Sequence, residues 1–251
     1  MYKILAKTLI LGKRVVYLPS CHSTNESARE LARSSNFIEG TIVITNEQVA
    51  GRGQMGNRWE SEQGQNLTFS ILLKPMFVQL NHQFRLNICI SLGLVDYLNS
   101  LSNVFQVKWP NDLYCKNNKL AGILIQNSIS RDALEQSIIG IGLNVNQLHF
   151  SIPRAISMRS ILGKTMVLPT VLEDLCCSVE KRYLQLKRGE YDQMKKDYLR
   201  SLLGYGQERQ FDDGAIFNGV IRDVMDDGRI VIDHKNKLRS YDFKEIQFLF
   251  D

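Results

Sequence analysis

The sequence is poor in the residues that staple or span. In 251 residues there are five cysteines (Cys21, Cys89, Cys115, Cys176 and Cys177) and four histidines. No two cysteines have CxxC spacing, and none falls at metal-ligand spacing from a histidine. That odd, scattered set speaks against a disulfide framework or a structural zinc site. No apolar run approaches the roughly 18 residues needed to cross a bilayer, which excludes an integral membrane protein. The opening MYKILAKTLILGKRVVYL is interrupted by Lys7, Lys13 and Arg14, and no small-residue cleavage site follows. It reads as a first strand rather than a signal peptide, so the expected compartment is cytoplasmic. Internal repeats and low-complexity tracts are missing too. The charge excess is small, 31 Lys+Arg against 26 Asp+Glu, net +5. It permits a phosphate-bearing or acidic partner without demanding nucleic acid. A content of 44% hydrophobic and 23% charged residues excludes a disordered chain.

Ser23-Thr24-Asn25-Glu26 has the capping-box pattern, so a helix is expected over 25–34. TIVIT at 41–45 is β-branched and reads as a buried strand, and 67–73 as another, stopped by Lys74-Pro75. Residues 47–60 lack apolar periodicity and read as a loop. Apolar residues cover most of the circumference of 82–101, which predicts a well-buried helix. Strands are expected at 104–108, 112–115, 120–126 and 138–145, with a tight turn at Asn117-Asn118. Helices are expected over 154–162, 171–187 and 191–202. After Gly204-Tyr205-Gly206 the pattern becomes short strands, with hairpin signals at Asp212-Asp213-Gly214 and Asp226-Asp227-Gly228. A division into 1–205 and a small all-β barrel at 206–251 follows. The barrel segment has 7 basic and 10 acidic residues, net −3, which leaves +8 for the rest.

Four stretches could carry chemistry. In Gly51-Arg52-Gly53-Gln54-Met55-Gly56-Asn57-Arg58-Trp59, glycines let the backbone approach a ligand, Arg52 and Arg58 offer bidentate donors, and Trp59 offers a face for stacking. It is neither a P-loop nor a dinucleotide fingerprint. Lys108-Trp109-Pro110-Asn111-Asp112 is followed by Lys119-Leu120-Ala121-Gly122. Pro110 marks a strand break, and Gly122 inside a strand marks a close approach. Lys119 could neutralise a carboxylate and a phosphate brought together. Gly140-Ile141-Gly142-Leu143-Asn144 would clear space on one face of a strand. Ser23-Thr24-Asn25 presents hydroxyls at a helix start. Taken singly, each also fits an ordinary turn, cap, bulge or surface lysine.

In order and spacing together, these stretches, with Gln48, resemble the bacterial biotin–protein ligases. The match runs from about residue 17 to 146. The resemblance implies an α+β fold: a catalytic domain like those of class II aminoacyl-tRNA synthetases and biotin–lipoate ligases, with a mixed sheet and flanking helices, plus a C-terminal SH3-like β-barrel. It implies that ATP and biotin form biotinyl-5'-AMP, and that biotin then passes to a lysine of a biotin carboxyl-carrier protein domain. Lys119, Arg52 and Asp112 are then the catalytic candidates, with Asp112 orienting or deprotonating the incoming lysine. Ser23, Thr24, Asn25, Gln48, Gly51, Arg52, Gly53, Gln54, Lys119, Gly122, Gly140 and Gly142 would contact or make room for biotin. Arg58, Trp59, Asn111, Lys119 and Asn144 would hold ATP or the adenylate. Mg²⁺ is implied by the triphosphate, with no metal ligand nameable.

Where relatives often carry GRGR, this chain has Gln54, so weaker electrostatic retention of the adenylate is expected. No segment precedes the matching region that could form a helix-turn-helix, so DNA binding is not expected. A monomer or weak homodimer is expected, the edge strands near 104–126 being able to pair. Two other readings stay open at this point. One is a lipoate or octanoate ligase. The other is a non-catalytic RNA-binding module, although no RRM, KH or double-stranded-RNA signature is present.

Overall fold

Alternation of side chains along the β-branched segments sorts the central sheet into two faces. The computed structural model describes residues 2–33, 37–51, 53 and 58–250. Seven strands are ordered β1-β2-β3-β7-β6-β5-β4. They are β1 Val15–Leu18, β2 Thr41–Thr45, β3 Leu67–Leu73, β4 Phe105–Lys108, β5 Asp112–Cys115, β6 Asn118–Ser130 and β7 Ala133–Leu143. Only the β1–β2 pairing is parallel, so the sheet is mixed, as expected. Ile42, Ile44, Phe69 and Ile71 face the main core. Val43 and Leu72 face α1 (Thr24–Arg33) on the other side, where they pack with Ala28, Ala32, Phe37 and Ile138.

The main core is covered by α2 (Phe84–Leu101), and α4 (Leu168–Lys187) and α5 (Tyr191–Ser201) pack on α2. Helix α2 is buried almost all round, as its sequence predicts. At Gly93 the α4 backbone comes so close that a Cβ would stand 2.5 Å from Val179 Cα. Any side chain there would force the two helices apart.

The second sheet is antiparallel, ordered β11-β10-β9-β8-β12, consistent with a small SH3-like domain. Its strands are β8 Glu208–Asp212, β9 Ile216–Val224, β10 Ile230–His234, β11 Lys237–Tyr241 and β12 Gln247–Phe248. Gly214 and Gly228 adopt positive φ at the two predicted hairpins. A third hairpin, at Lys235-Asn236, uses positive φ at both residues, the type I′ geometry.

Three expectations need correction. The turn after β5 uses Lys116 and Asn117, with Lys116 in the left-handed region, rather than Asn117 and Asn118. Strands β6 and β7 run well beyond 126 and 138, because a two-residue turn at Arg131-Asp132 lets polar residues continue the ladder. The helix expected over 154–162 shrinks to α3 (Met158–Leu162), capped by Ser157. Its first residues instead pair with Lys119: Lys119 N donates to Arg154 O at 2.6 Å, and Ile156 N to Lys119 O at 2.9 Å.

Candidate active site

Strand register sets a row of residues across six strands. Lys108 of β4 pairs with Asp112 of β5, Asp112 with Gly122 of β6, Gly122 with Gly142 of β7, Gly142 with Thr68 of β3, and Thr68 with Thr45 of β2. Register partners share a face of the sheet. The two central glycines therefore make a trough, bordered by hydroxyls on one side and by Asp112 and Lys108 on the other. The indole of Trp59 lies in it: a Cβ at Gly142 would overlap the ring, and one at Gly122 would stand 3.3 Å from Cζ3. One row further along, Gly140 is vacant for Asn25, whose carboxamide occupies the space of a missing Cβ.

The start of α1 forms the polar end. Gln48 Oε1 accepts from Thr24 N at 2.8 Å and from Thr24 Oγ1 at 3.2 Å. Ser70 Oγ lies 2.7 Å from Asn25 Oδ1 and 2.8 Å from Thr24 Oγ1. Its single proton serves the amide oxygen, which can only accept. Asn25 Nδ2 reaches Leu124 O and Gln126 Oε1, both at 3.3 Å. Ser23, Thr24 and Asn25 are all buried yet line the cavity, so the polar end is held rigidly by its own hydrogen bonds.

Lys119 stands between the two ends. Its backbone is held on both sides, by Tyr114 of β5 and by the 154–156 segment. Nζ forms an ion pair with Asp112 Oδ1 at 2.7 Å and lies 5.8 Å from the Trp59 ring centroid. A cation paired to one carboxylate and open on its remaining side can receive a second anion.

The far wall comes from the second sheet. Phe243, Lys244, Ile246, Gln247, Phe248 and Phe250 line the same cavity of about 710 Å³. Tyr114 stacks on Phe250 at 5.7 Å between centroids, and Arg154 Nη2 donates to Phe250 O at 3.0 Å. Trp109 Nε1 donates to Gly228 O at 2.8 Å, while its ring packs on Phe243. Burial, followed by the Asp112 charge, pushes the Tyr114 phenol up. Burial pulls the Lys108 ammonium below its ordinary value, with Asp112 opposing.

Among the residues named from sequence, Ser23, Thr24, Asn25, Gln48, Gly53, Arg58, Trp59, Asn111, Asp112, Lys119, Gly122, Gly140 and Gly142 border this cavity. Arg52 and Gln54 lie outside the described residues. Gly51 packs against Trp59 instead: its carbonyl accepts from Trp59 N at 3.0 Å, and a Cβ would stand 2.5 Å from Trp59 O. Asn144 is not brought to the cavity. It is buried, and its amide donates to Ile156 O at 3.1 Å, tying down the segment that holds Lys119. The Asn111 amide likewise donates to the Ile123 carbonyl. A Cβ at Gly142 or Gly122 would meet Trp59, and one at Gly140 would meet Asn25. Sequence reasoning missed Ser70, Tyr114 and the wall from the second sheet. Ser70 left one signal, a lone hydroxyl in the otherwise apolar FSILL.

Residues 17–144 match the biotin/lipoate A/B protein ligase family. The chain is 28% identical, over 93% of its length and 74% of the relative's, to the bifunctional ligase/repressor BirA of Bacillus spizizenii. It is also 28% identical to the biotin–[acetyl-CoA-carboxylase] ligase of Mycobacterium tuberculosis, over 84% of this chain and 80% of that one. Among solved structures, the biotin protein ligase of Aquifex aeolicus in complex with biotin and ATP superposes with a TM-score of 0.78. That pair is 25% identical, covering 95% of this chain and all of the other (100%).

Proposed function

The chain belongs to the biotin/lipoate A/B protein ligase family, and from that premise we propose that it activates biotin with ATP and transfers it to a carrier protein. Biotinyl-5'-AMP forms first. A lysine of a biotin carboxyl-carrier domain then attacks the mixed anhydride and releases AMP. The observation that carries the reading is the placement of Lys119. It stands in one cavity between a rigid polar end, suited to a small uncharged head group, and a wall that closes the other end.

The first step joins two anions, so positioning and charge stabilisation are the main needs. In this reading Ser23, Thr24 and Gln48 bond the polar atoms of the biotin head group. Lys119 sits by the biotin carboxylate and the α-phosphate and offsets the charge that develops there. Asp112 holds the Lys119 ammonium in place and orients the incoming lysine. Trp59, lying over Gly122 and Gly142, forms the floor against which the adenylate packs, and Arg52 is the second cation assigned to the acyl phosphate. ATP enters as its Mg²⁺ complex. Among the described residues no group of three or more His, Cys, Asp or Glu gathers that could hold the ion. Residues 206–251 act as a separate small domain that supplies the end wall. Among the described residues no helix is long and apolar enough to cross a membrane.

The test is incubation with ATP, Mg²⁺, labelled biotin or labelled lipoate, and an apo carrier domain. Biotin label on the carrier is expected. Lipoate label alone would replace biotin by lipoate as the substrate. No label from either acid would overturn the reading.

A further inference from the structure

Lys108 opens the segment 108–112, yet nothing in the adenylation centre described above uses it. It ends β4, the edge strand on its side of the sheet, and stands in register with Asp112. It lines the cavity, with Nζ 5.7 Å from the Tyr114 ring centroid and 5.1 Å from that of Phe248. A partly enclosed cation normally comes with a carboxylate. Asp112 is the neighbouring acid, but its Oδ1 is given to Lys119 at 2.7 Å. Among the described residues no ion pair engages Lys108. Two aromatic faces stand in for one. They attract the ammonium through their quadrupoles and leave its N–H bonds free for an anion. Burial and the nearby Lys119 charge lower its proton affinity against the opposing pull of Asp112.

The order of strands says which anion. From Thr45 and Thr68 on β2 and β3, next to the polar end, the cross-strand row passes Gly142 and Gly122 of β7 and β6, reaches Asp112, whose carboxylate holds Lys119 Nζ, and ends at Lys108. In phosphoryl transfer the attacking and leaving oxygens lie roughly in line through phosphorus. With the biotin carboxylate approaching from the polar side and the α-phosphate at Lys119, the leaving group points toward β4. Resting on the ligase reading, we propose that Lys108 is the cation that holds the β- and γ-phosphates of ATP and the pyrophosphate they become. A carboxylate oxygen forms the new bond to the α-phosphorus as the bond to the bridging oxygen breaks. The electron pair stays on that oxygen, and pyrophosphate departs against Lys108 with no proton required. Phe248 makes the second domain a part of this subsite.

The experiment uses the full chain and measures biotin-dependent exchange of labelled pyrophosphate into ATP, together with transfer to a carrier from synthetic biotinyl-AMP. Lys108→Met is expected to raise the pyrophosphate concentration for half-maximal exchange, and the KM for ATP, by about tenfold or more, the worth of one charge-assisted contact. Biotin affinity and transfer from supplied adenylate should stay near wild type, and Lys108→Arg should recover most of the loss. If Lys108→Met does not fold, Phe248→Leu, which keeps the lysine and removes one ring, should shift the pyrophosphate dependence the same way by less. The proposal is overturned by an unaltered pyrophosphate dependence, by an equal loss of biotin affinity, or by a defect confined to the transfer step. A wild-type chain without biotin-dependent exchange removes the ligase reading itself, and this proposal with it. Normal exchange in wild type beside an unshifted Lys108→Met removes the role of Lys108 alone.

Discussion

The indole of Trp59 occupies the space that a Cβ on Gly142 would fill. The ring can take this position because Gly142 and Gly122, register partners on adjacent strands, both lack side chains. Among the described residues its Nε1 is buried without a hydrogen-bond partner, and such a donor costs about 1–3 kcal/mol until an acceptor reaches it. The Trp59–Gly142 contact is therefore the floor of the cavity as well as a packing contact.

Gly142→Ala should lift that floor. Overpacking of this kind costs about 1–3 kcal/mol, less than a domain of this size needs in order to fold. Biotin-dependent pyrophosphate release is expected to fall about tenfold or more, with far-UV circular dichroism retained and tryptophan emission shifted as the indole moves. Wild-type emission with wild-type activity would show that the indole position does not matter.

Lys119→Ala removes the cation from the centre and leaves Asp112 unpaired in the cavity. Adenylate formation should slow by about 10²–10³, the range for losing one preorganised electrostatic contact. Near-normal pyrophosphate release from this variant would refute the role given to Lys119.

How much of this was legible beforehand follows from which forces are local. The capping pattern at 23–26, the β-branched strand 41–45 and the apolar helix α2 depend on nearby residues, and all three appear close to the expected bounds. The length of β6 and β7 does not: Gln126–Ser130 is polar apart from Ile129, and it becomes strand because a partner strand satisfies its backbone. The site divides the same way. Lys119, Asp112 and the glycines sit in short recognisable motifs. The neighbours of Gly142 and Gly140 are 83 and 115 positions away in the chain, so what fills their space cannot be read from spacing. Phe248 reaches Lys108 across about 140 residues and a second sheet, and no local pattern announces that.

Ser70→Ala tests the rigidity of the polar end. The hydroxyl is fully buried and donates to Asn25 Oδ1, with Thr24 Oγ1 2.8 Å away. Its loss leaves the Asn25 oxygen unsatisfied, which costs about 1–3 kcal/mol. Chemical denaturation should show that loss, and calorimetry should show weaker biotin binding with the ATP dependence little changed. Equal weakening toward both substrates would mean that Ser70 supports the whole fold rather than the head-group end.

The joint between the helical layer and the second sheet makes a pH-dependent prediction. Asp226, on the β9–β10 turn, accepts from Arg85 Nη2 at 2.8 Å and from Tyr191 OH at 3.2 Å, with His82 Nε2 at 3.5 Å. Burial alone would raise the Asp226 carboxyl, but the hydrogen bond and charge of Arg85 outweigh it and hold the group below its ordinary value. A carboxyl depressed by folding stabilises the fold fully above its ordinary range and stops doing so as pH falls through the lowered value. The side chain is 40% exposed, so the contribution is about 1 kcal/mol or less. Asp226→Asn should therefore lower the denaturation midpoint modestly at neutral pH. The gap to wild type should hold steady down to the carboxylate range and close below it. Because the same turn carries Gly228, the acceptor for Trp109, the variant should also loosen the wall that faces Lys108 and raise the KM for ATP. A gap that widens on acidification would reverse the assigned sign, and an unchanged KM would separate this joint from the cavity.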